Sequence, residues 1–182
     1  DQAGNMVAVT YTLNTNFGSG IVAAGTGILL NNEMDDFSAK PGVPNAYGLV
    51  GGAANAVAAG KRPLSSMTPT LVLKDQQPWL VTGSPGGARI ITTVLQQIVN
   101  GIDFGMNPAE AAAAVRFHHQ WMPDELRVEK GFSPDTLHLL RQKGQNVVVK
   151  PAMGRTQTIQ VQGQALWGYS DPRNPDGLTL GY

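Results

Sequence analysis

The amino-acid sequence predicts one layered α/β domain over residues 1–182. Three observations support this fold class. Short segments with strand periodicity alternate with segments of helical periodicity. Twenty-two glycines and twelve prolines are spread between these segments, as expected for many tight turns around a packed sheet. The length suits a single domain with a sizeable core.

The first predicted strand covers residues 6–13, where Val7, Val9 and Tyr11 alternate with smaller or polar residues. Residues 1–5 before it have the composition of a turn. A hairpin turn needs a strand before it as well as after it. We therefore expect the chain to be a fragment that lacks its first strand.

The middle of the chain predicts a long loop, a strand pair and a helix. Gly, Pro, Ala and Asn dominate the loop at residues 40–60. Strands are expected at residues 70–74 and 78–82. The helix opens at the glycine-rich segment 83–87, and its apolar residues recur with helical spacing at Ile91, Val94, Leu95, Ile98 and Ile102.

The last third of the chain predicts two further helices and several short strands. One helix begins after Asn107 as the N-cap, with Glu110 in the capping-box position. The other begins after Ser133 and ends before Gly144. The strands are expected at residues 125–128, 146–149, 156–161 and 164–169.

The composition excludes several classes of function. Thirteen basic residues balance thirteen acidic ones without a basic stripe, so nucleic-acid binding is not predicted. The absence of cysteine excludes disulfides, thiolate metal sites and a cysteine nucleophile. No apolar run is long enough to span a bilayer, and no membrane association is expected. The three histidines are expected to be structural or surface residues, since no G-x-S-x-G motif marks a serine nucleophile.

Residues 83–87, Gly-Ser-Pro-Gly-Gly, join a strand to a helix. Consecutive glycines let backbone N–H groups point outward at a helix N-terminus, where they can stabilise an anion or a developing oxyanion. The segment lacks the Lys-Ser/Thr ending of a phosphate-binding loop. An ordinary glycine-rich turn is an equally good interpretation.

Two polar clusters are candidates for substrate binding. Glu33, Asp35 and Asp36 suit an ammonium group better than a metal, because calcium-loop spacing and a neighbouring histidine are both missing. A solvated acidic turn explains them equally well. Ser65 and Ser66 are suited to holding a carboxylate, although such serines more commonly cap a turn.

Several separated segments are far more specific in combination than any one alone. They are V-T-Y-T-L-N at 9–14, N-N-E-M-D-D-F at 31–37, R-P-L-S-S-M at 62–67, G-S-P-G-G at 83–87, R-F-H-H-Q-W at 116–121 and S-D-P-R at 170–173. In this order and spacing they resemble the small subunit of bacterial γ-glutamyltransferases. The resemblance covers essentially the whole chain.

The resemblance implies an α+β fold, namely the four-layer αββα sandwich of the N-terminal nucleophile hydrolases, completed by a large subunit of the same precursor. It also implies cleavage of the γ-glutamyl amide of glutathione and related compounds, with transfer of the γ-glutamyl group to water, amino acids or peptides. The nucleophile is the N-terminal threonine that self-cleavage releases, and a threonyl acyl-enzyme forms. No metal or other cofactor is implied. The expected location is periplasmic or secreted.

The resemblance also implies catalytic residues. Thr12 supports the nucleophile hydroxyl by hydrogen bonding, and Gly86 and Gly87 supply N–H groups for the oxyanion. Residues 41–52 match the active-site lid, with Tyr47 near the nucleophile.

Binding of the substrate's amino-acid end is assigned to five residues by the same resemblance. Asn14, Glu33 and Asp36 hold the α-amino group, and some bacterial relatives carry glutamine at the position of Glu33. Ser65 and Ser66 hold the α-carboxylate.

The chain departs from the family pattern at one point, because the N-terminal threonine expected a few residues before Asp1 is absent. If the threonine is truly absent, the chain is expected to be a non-catalytic interaction subunit. Two further alternatives stay open on the same scaffold, namely a cephalosporin acylase relative and a poly-γ-glutamate-processing relative. Asp36 argues against the acylase, for which a cationic clamp is expected instead.

Overall fold

The computed structural model describes residues 1 and 3–181, so Gln2, which belongs to the predicted opening turn, lies outside the described residues. The chain divides into two compact units. The first consists of Asp1–Thr10 and Met67–Tyr182, and the second of Tyr11–Ser66. The single domain over residues 1–182 stays a prediction.

The first unit contains the regular secondary structure. Its strands are β1 (Thr70–Lys74), β2 (Gln77–Gly83), β3 (Phe117–His118), β4 (Leu126–Val128), β5 (Val147–Val149), β6 (Gln157–Gln162) and β7 (Ala165–Ser170). Its α-helices are α1 (Ile90–Ile102), α2 (Pro108–Ala113) and α3 (Pro134–Gln142). This mixture confirms the α+β class, and the strands predicted in the last third are all present to within one residue.

The strands form two sheets. β1 and β2 make the predicted hairpin, and the turn residues Asp75 and Gln76 have φ values of 51° and 62°, which suit the twist of the flanking strands. Antiparallel pairing continues from β2 to β6 and from β6 to β7. Buried Thr82 and Thr158 join β2 to β6 through a hydroxyl contact of 2.9 Å. The other sheet has the order β3-β4-β5, with β4 and β5 parallel.

Side-chain caps confirm the predicted helix starts. The Asn107 carboxamide accepts hydrogen bonds from the N–H groups of Ala109 and Glu110 at 2.9 and 3.0 Å. The Glu110 carboxylate accepts the N–H of Asn107 at 2.9 Å, which completes the capping box of α2. Ser133 caps α3 by accepting the N–H of Thr136 at 3.1 Å.

Helix α1 is present as predicted, but it does not bury its most apolar face. The residues that it buries are Ile90, Thr93, Val94 and Gln97. Ile91, Leu95 and Ile102 remain 49%, 54% and 57% exposed. Helical periodicity therefore predicted the element correctly but not the direction in which it packs.

The strand predicted over residues 6–13 is wrong. No strand forms there, and Val7, Val9 and Tyr11 are 76%, 77% and 87% exposed. A strand needs a neighbouring strand that pairs with its N–H and C=O groups. No described residue supplies such a ladder to this segment.

The second unit is built mainly from turns and loops. It contains short 3-10 turns at Glu33–Asp36 and Ala53–Asn55. The loop predicted over residues 40–60 is confirmed, since it holds only the second of these turns and a bridge between Pro44 and Val50 among the described residues. Hydrogen bonds from side chains to the backbone carry much of its organisation.

Candidate active site

The turn Glu33–Asp36 places two carboxyl groups side by side. Burial raises the pKa of Glu33, and the adjacent Asp36 raises it further. Burial also raises the pKa of Asp36, while the hydrogen bond with Glu33 acts in the opposite direction. The hydrogen bond between them favours a proton on Glu33 and the negative charge on Asp36.

One oxygen of this acidic pair is without a partner. Glu33 Oε1 is buried, and no described residue donates a hydrogen bond to it. A buried acceptor in this condition is costly unless a donor reaches it. A small cation with several N–H groups would satisfy both carboxyl groups, so the local chemistry suits an ammonium ligand.

Thr12 and Asn14 lie together next to this turn. Thr12 Oγ1 accepts the N–H of Asn14 at 2.8 Å, and Asn14 has a φ of 75°, in the left-handed region that asparagine tolerates. Asn14 Nδ2 donates to the carbonyl of Asn32 at 3.2 Å, directly before Glu33. The fold therefore brings two of the predicted site residues to the start of the acidic turn.

The predicted lid, residues 41–52, is held against the same turn. Tyr47 Oη donates to the carbonyl of Asn14 at 2.6 Å. The N–H of Ala46 donates to the Asp35 carboxylate at 3.1 Å. Tyr47 thus lies beside Asn14, and Asp35 fixes the lid rather than a ligand.

Asn55 connects the acidic turn with the serine pair, and sequence reasoning missed it. Its Nδ2 donates to the carbonyl of Asp36 at 2.7 Å, and its Oδ1 accepts the N–H of Leu64 at 2.9 Å. Ser65 and Ser66 follow Leu64 directly. Asparagine often bonds to the backbone of a loop, but the partners come from separated segments that no local pattern reveals.

Replacing Asn55 with alanine is expected to lower the free energy of unfolding by about 1–3 kcal/mol, because two backbone groups lose their partner. Chemical denaturation of the purified protein measures this. Asn16→Ala, at an exposed turn position of the same unit, is the control and should cost less than about 0.5 kcal/mol. Equal stability of the two variants would contradict the bridging role of Asn55.

Gly86 and Gly87 lie in the first unit, between β2 and α1. Their φ values are 145° and 59°, and a 3-10 turn at Gly87–Arg89 leads into α1. None of the hydrogen bonds found among the described residues uses the N–H of Gly86 or Gly87. The glycine turn therefore presents two adjacent N–H donors at the start of a helix.

His118 has the environment of a structural side chain. His118 is buried between Thr92 Oγ1 and Gln120 Oε1, each at 2.8 Å, and burial lowers its pKa, as expected for a structural histidine. Among the described residues no group of three or more His, Asp or Glu side chains is arranged to hold a metal ion. Within the same part of the chain, no helix combines the length and apolar character needed to cross a membrane.

Solved structures define the class of protein to which this fold belongs. The chain is similar to a γ-glutamyltranspeptidase mutant from Helicobacter pylori, with a TM-score of 0.93, 57% identity and 96% coverage of both chains. It is also similar to the γ-glutamyltranspeptidase from Pseudomonas nitroreducens, with a TM-score of 0.93 and 45% identity. That match covers 100% of this chain and 96% of the other. The fold is thus of the N-terminal nucleophile hydrolase type, which confirms the prediction.

The chain belongs to the γ-glutamyltranspeptidase family, whose model matches residues 1–180. It is 72% identical to the glutathione hydrolase proenzyme of Escherichia coli over its whole length. The match covers 32% of that protein, so the chain spans about a third of the length of this curated relative. It therefore corresponds to one part of a longer proenzyme.

Proposed function

We propose that this chain is the catalytic small subunit of a γ-glutamyltransferase that cleaves the γ-glutamyl amide of glutathione and related compounds. The observation that carries the proposal is the carboxyl pair of Glu33 and Asp36. The buried Oε1 atom of Glu33 has no hydrogen-bond partner among the described residues. Asn55 ties this pair to the segment that contains Ser65 and Ser66. An α-amino group and an α-carboxylate on one carbon atom match these two clusters.

The proposed reaction proceeds through a threonyl acyl-enzyme. The hydroxyl oxygen of the small subunit's N-terminal threonine attacks the γ-carbonyl carbon, and the free α-amine accepts the proton. The C–N bond breaks, and the departing amine takes that proton. Water or the amine of an amino acid or peptide then attacks the ester and releases the threonine. In this scheme Thr12 orients the nucleophile, and Gly86 and Gly87 donate N–H groups to the oxyanion.

The remaining site residues have binding roles in the proposal. Asn14, Glu33 and Asp36 receive the ammonium group, and Ser65 and Ser66 receive the carboxylate. Tyr47, which donates to Asn14, covers the nucleophile from the lid. The scheme uses no metal or cofactor.

The proposed partner is the large subunit of the same precursor, in an obligate heterodimer. The name of the E. coli relative, a proenzyme about three times as long as the matched region, supports this. We also propose a periplasmic or secreted location, which fractionation of cells that express the full-length precursor tests. Recovery with the cytoplasmic fraction would contradict it.

N-terminal sequencing and intact mass of the protein purified from the full-length precursor test the proposed nucleophile. We expect a small subunit that begins with threonine a few residues before Asp1 and that hydrolyses a γ-glutamyl anilide. A native N-terminus at Asp1 would instead favour a non-catalytic subunit. Parallel assays on glutathione, a glutaryl β-lactam and poly-γ-glutamate separate the proposal from the acylase and polymer-processing alternatives.

Glu33→Leu is expected to move the acidic limb of the pH profile of kcat/KM to higher pH. Asp36 must be ionised to bind an ammonium group, and burial raises its pKa while the hydrogen bond from Glu33 lowers it. Leucine removes that hydrogen bond, so binding is lost earlier as the pH falls, whereas Glu33→Gln keeps an N–H donor and is the matched control. Rates on a γ-glutamyl anilide between about pH 4 and pH 8 measure the limb. A limb at the same or lower pH in Glu33→Leu would contradict the assignment.

A further inference from the structure

The first unit contains a buried cluster of charged side chains. Asp171 contacts Arg116 at 2.5 Å and Arg173 at 3.2 Å, and Arg173 contacts Glu129 at 2.5 Å. Arg116, Glu129 and Asp171 are only 2%, 4% and 1% exposed. Burial acts to raise the pKa of Asp171, but hydrogen bonds from the two arginines and from Thr156 hold it below its usual value. Asp171 therefore stays ionised at neutral pH, and its hydrogen bonds fix the cluster in place.

This ion cluster anchors both ends of a short segment that begins at Met153 and ends at Thr156. Glu129 accepts the N–H of Met153 at 2.7 Å, and Arg116 donates to the carbonyl of Met153 at 2.8 Å. At the other end, Asp171 accepts the N–H of Thr156 at 2.9 Å. The anchors leave the two intervening residues little freedom to shift.

The two intervening residues contact the glycine turn. The N–H of Arg155 donates to Ser84 Oγ at 2.8 Å, and that hydroxyl donates to the carbonyl of Pro85 at 2.8 Å. The Cα of Gly154 lies 3.7 Å from the point that a Cβ on Gly86 would occupy. A Cβ on Gly154 would lie 2.5 Å from Thr93 Cγ2 and 3.0 Å from Ser84 Oγ, so this close approach depends on glycine.

We propose that Ser84 is a positioning residue, through which the ion cluster and the segment 153–156 hold the N–H groups of Gly86 and Gly87 in the direction of the oxyanion. Glycines have a wide range of accessible φ and ψ, so their donors are directed only when contacts fix the backbone. Ser84 is buried, and its hydroxyl group both accepts the N–H of Arg155 and donates to the carbonyl of Pro85. The inference rests on the function proposed for the glycine turn.

Ser84→Ala in the full-length precursor tests this role. We expect kcat for a γ-glutamyl anilide to fall roughly 10- to 100-fold, with KM changed less than about threefold, because the oxyanion bonds form mainly in the transition state. Affinity for a γ-glutamyl boronic acid, whose tetrahedral adduct is anionic, should fall in parallel. Ser133→Ala, which removes the cap of α3, is the matched control. It should lower Tm without changing either kinetic constant.

Hydrogen exchange provides a readout that does not depend on activity. The amides of Arg89 and Ile90, which donate to the carbonyls of Gly86 and Gly87, should exchange faster in Ser84→Ala and also in Asp171→Asn, which leaves the serine in place. A Ser84→Ala variant with kcat within twofold of wild type, or with unchanged exchange at these amides, would overturn the proposal. Normal exchange in Asp171→Asn would overturn the contribution of the ion cluster. A wild-type protein without γ-glutamyl activity would refute the proposed function, while exchange would still decide whether Ser84 positions the turn.

Discussion

Replacing Asp36 with alanine should lower kcat/KM for a γ-glutamyl anilide by roughly 30-fold to 4,000-fold, corresponding to about 2–5 kcal/mol for the loss of a charged hydrogen-bond partner. Burial raises the pKa of Asp36, and its hydrogen bond with Glu33 acts in the opposite direction and favours its ionised form. The ammonium group is bound in the ground state as well as in the transition state, so much of the loss should appear in KM. Steady-state kinetics on the purified variant measure both constants.

A substrate without the α-amino group makes this test specific. Wild type should strongly prefer a γ-glutamyl anilide to a glutaryl anilide, and Asp36→Ala should lose most of that preference. Asp135→Ala, at an exposed position in the first turn of α3, is the control and should leave the ratio unchanged. The assignment of Asp36 fails if its variant retains the wild-type ratio.

The elements that the sequence predicted well are those that local interactions determine. The hairpin between β1 and β2 needs only a short turn and two apolar segments. Helix α2 begins directly after its N-cap Asn107, because the capping box with Glu110 satisfies free N–H groups of its first turn. In each case the interacting residues lie within a few positions of one another.

The elements that were predicted poorly depend on contacts with distant segments. Val7 and Val9 alternate as strand residues do, but alternation does not provide the neighbouring strand that a ladder requires. In α1, Ile91 and Leu95 are more apolar than the buried Thr93, and only the packing partners of the helix decide which side is buried. Periodicity indicates an element but not what lies beside it.

The candidate site shows the same division. The acidic pair of Glu33 and Asp36 was recognisable from residue type, and family resemblance assigned its role. Asn55 and Ser84 were not recognised, because their importance arises from bonds to Leu64 and Arg155, residues that are 9 and 71 positions away. Residue type therefore predicts which groups meet a ligand better than it predicts which groups hold them in place.

Asp171→Asn should lower the free energy of unfolding at neutral pH by about 3–5 kcal/mol, one of the largest stability effects expected for a point change in this chain. The change leaves the Arg116 guanidinium almost fully buried without the carboxylate that it contacts at 2.5 Å. Thermal and chemical unfolding of the purified protein measure the loss. Asp124→Asn removes the exposed partner of His119 and should cost less than about 1 kcal/mol.

The pH dependence identifies charge as the source of that loss. The pKa of Asp171 is lowered by folding, so its stabilising contribution is complete above the unfolded value of about 3.9 and is lost as the pH falls through the lower folded value. The deficit of Asp171→Asn should therefore be constant from neutral pH down to about pH 5 and shrink only below about pH 4. A deficit that is equally large in acid would mean that asparagine disturbs packing rather than an ion pair. Combining Asp171→Leu with Arg116→Met should cost less than the sum of the two single changes, since the double variant leaves neither of these two charges buried without the other.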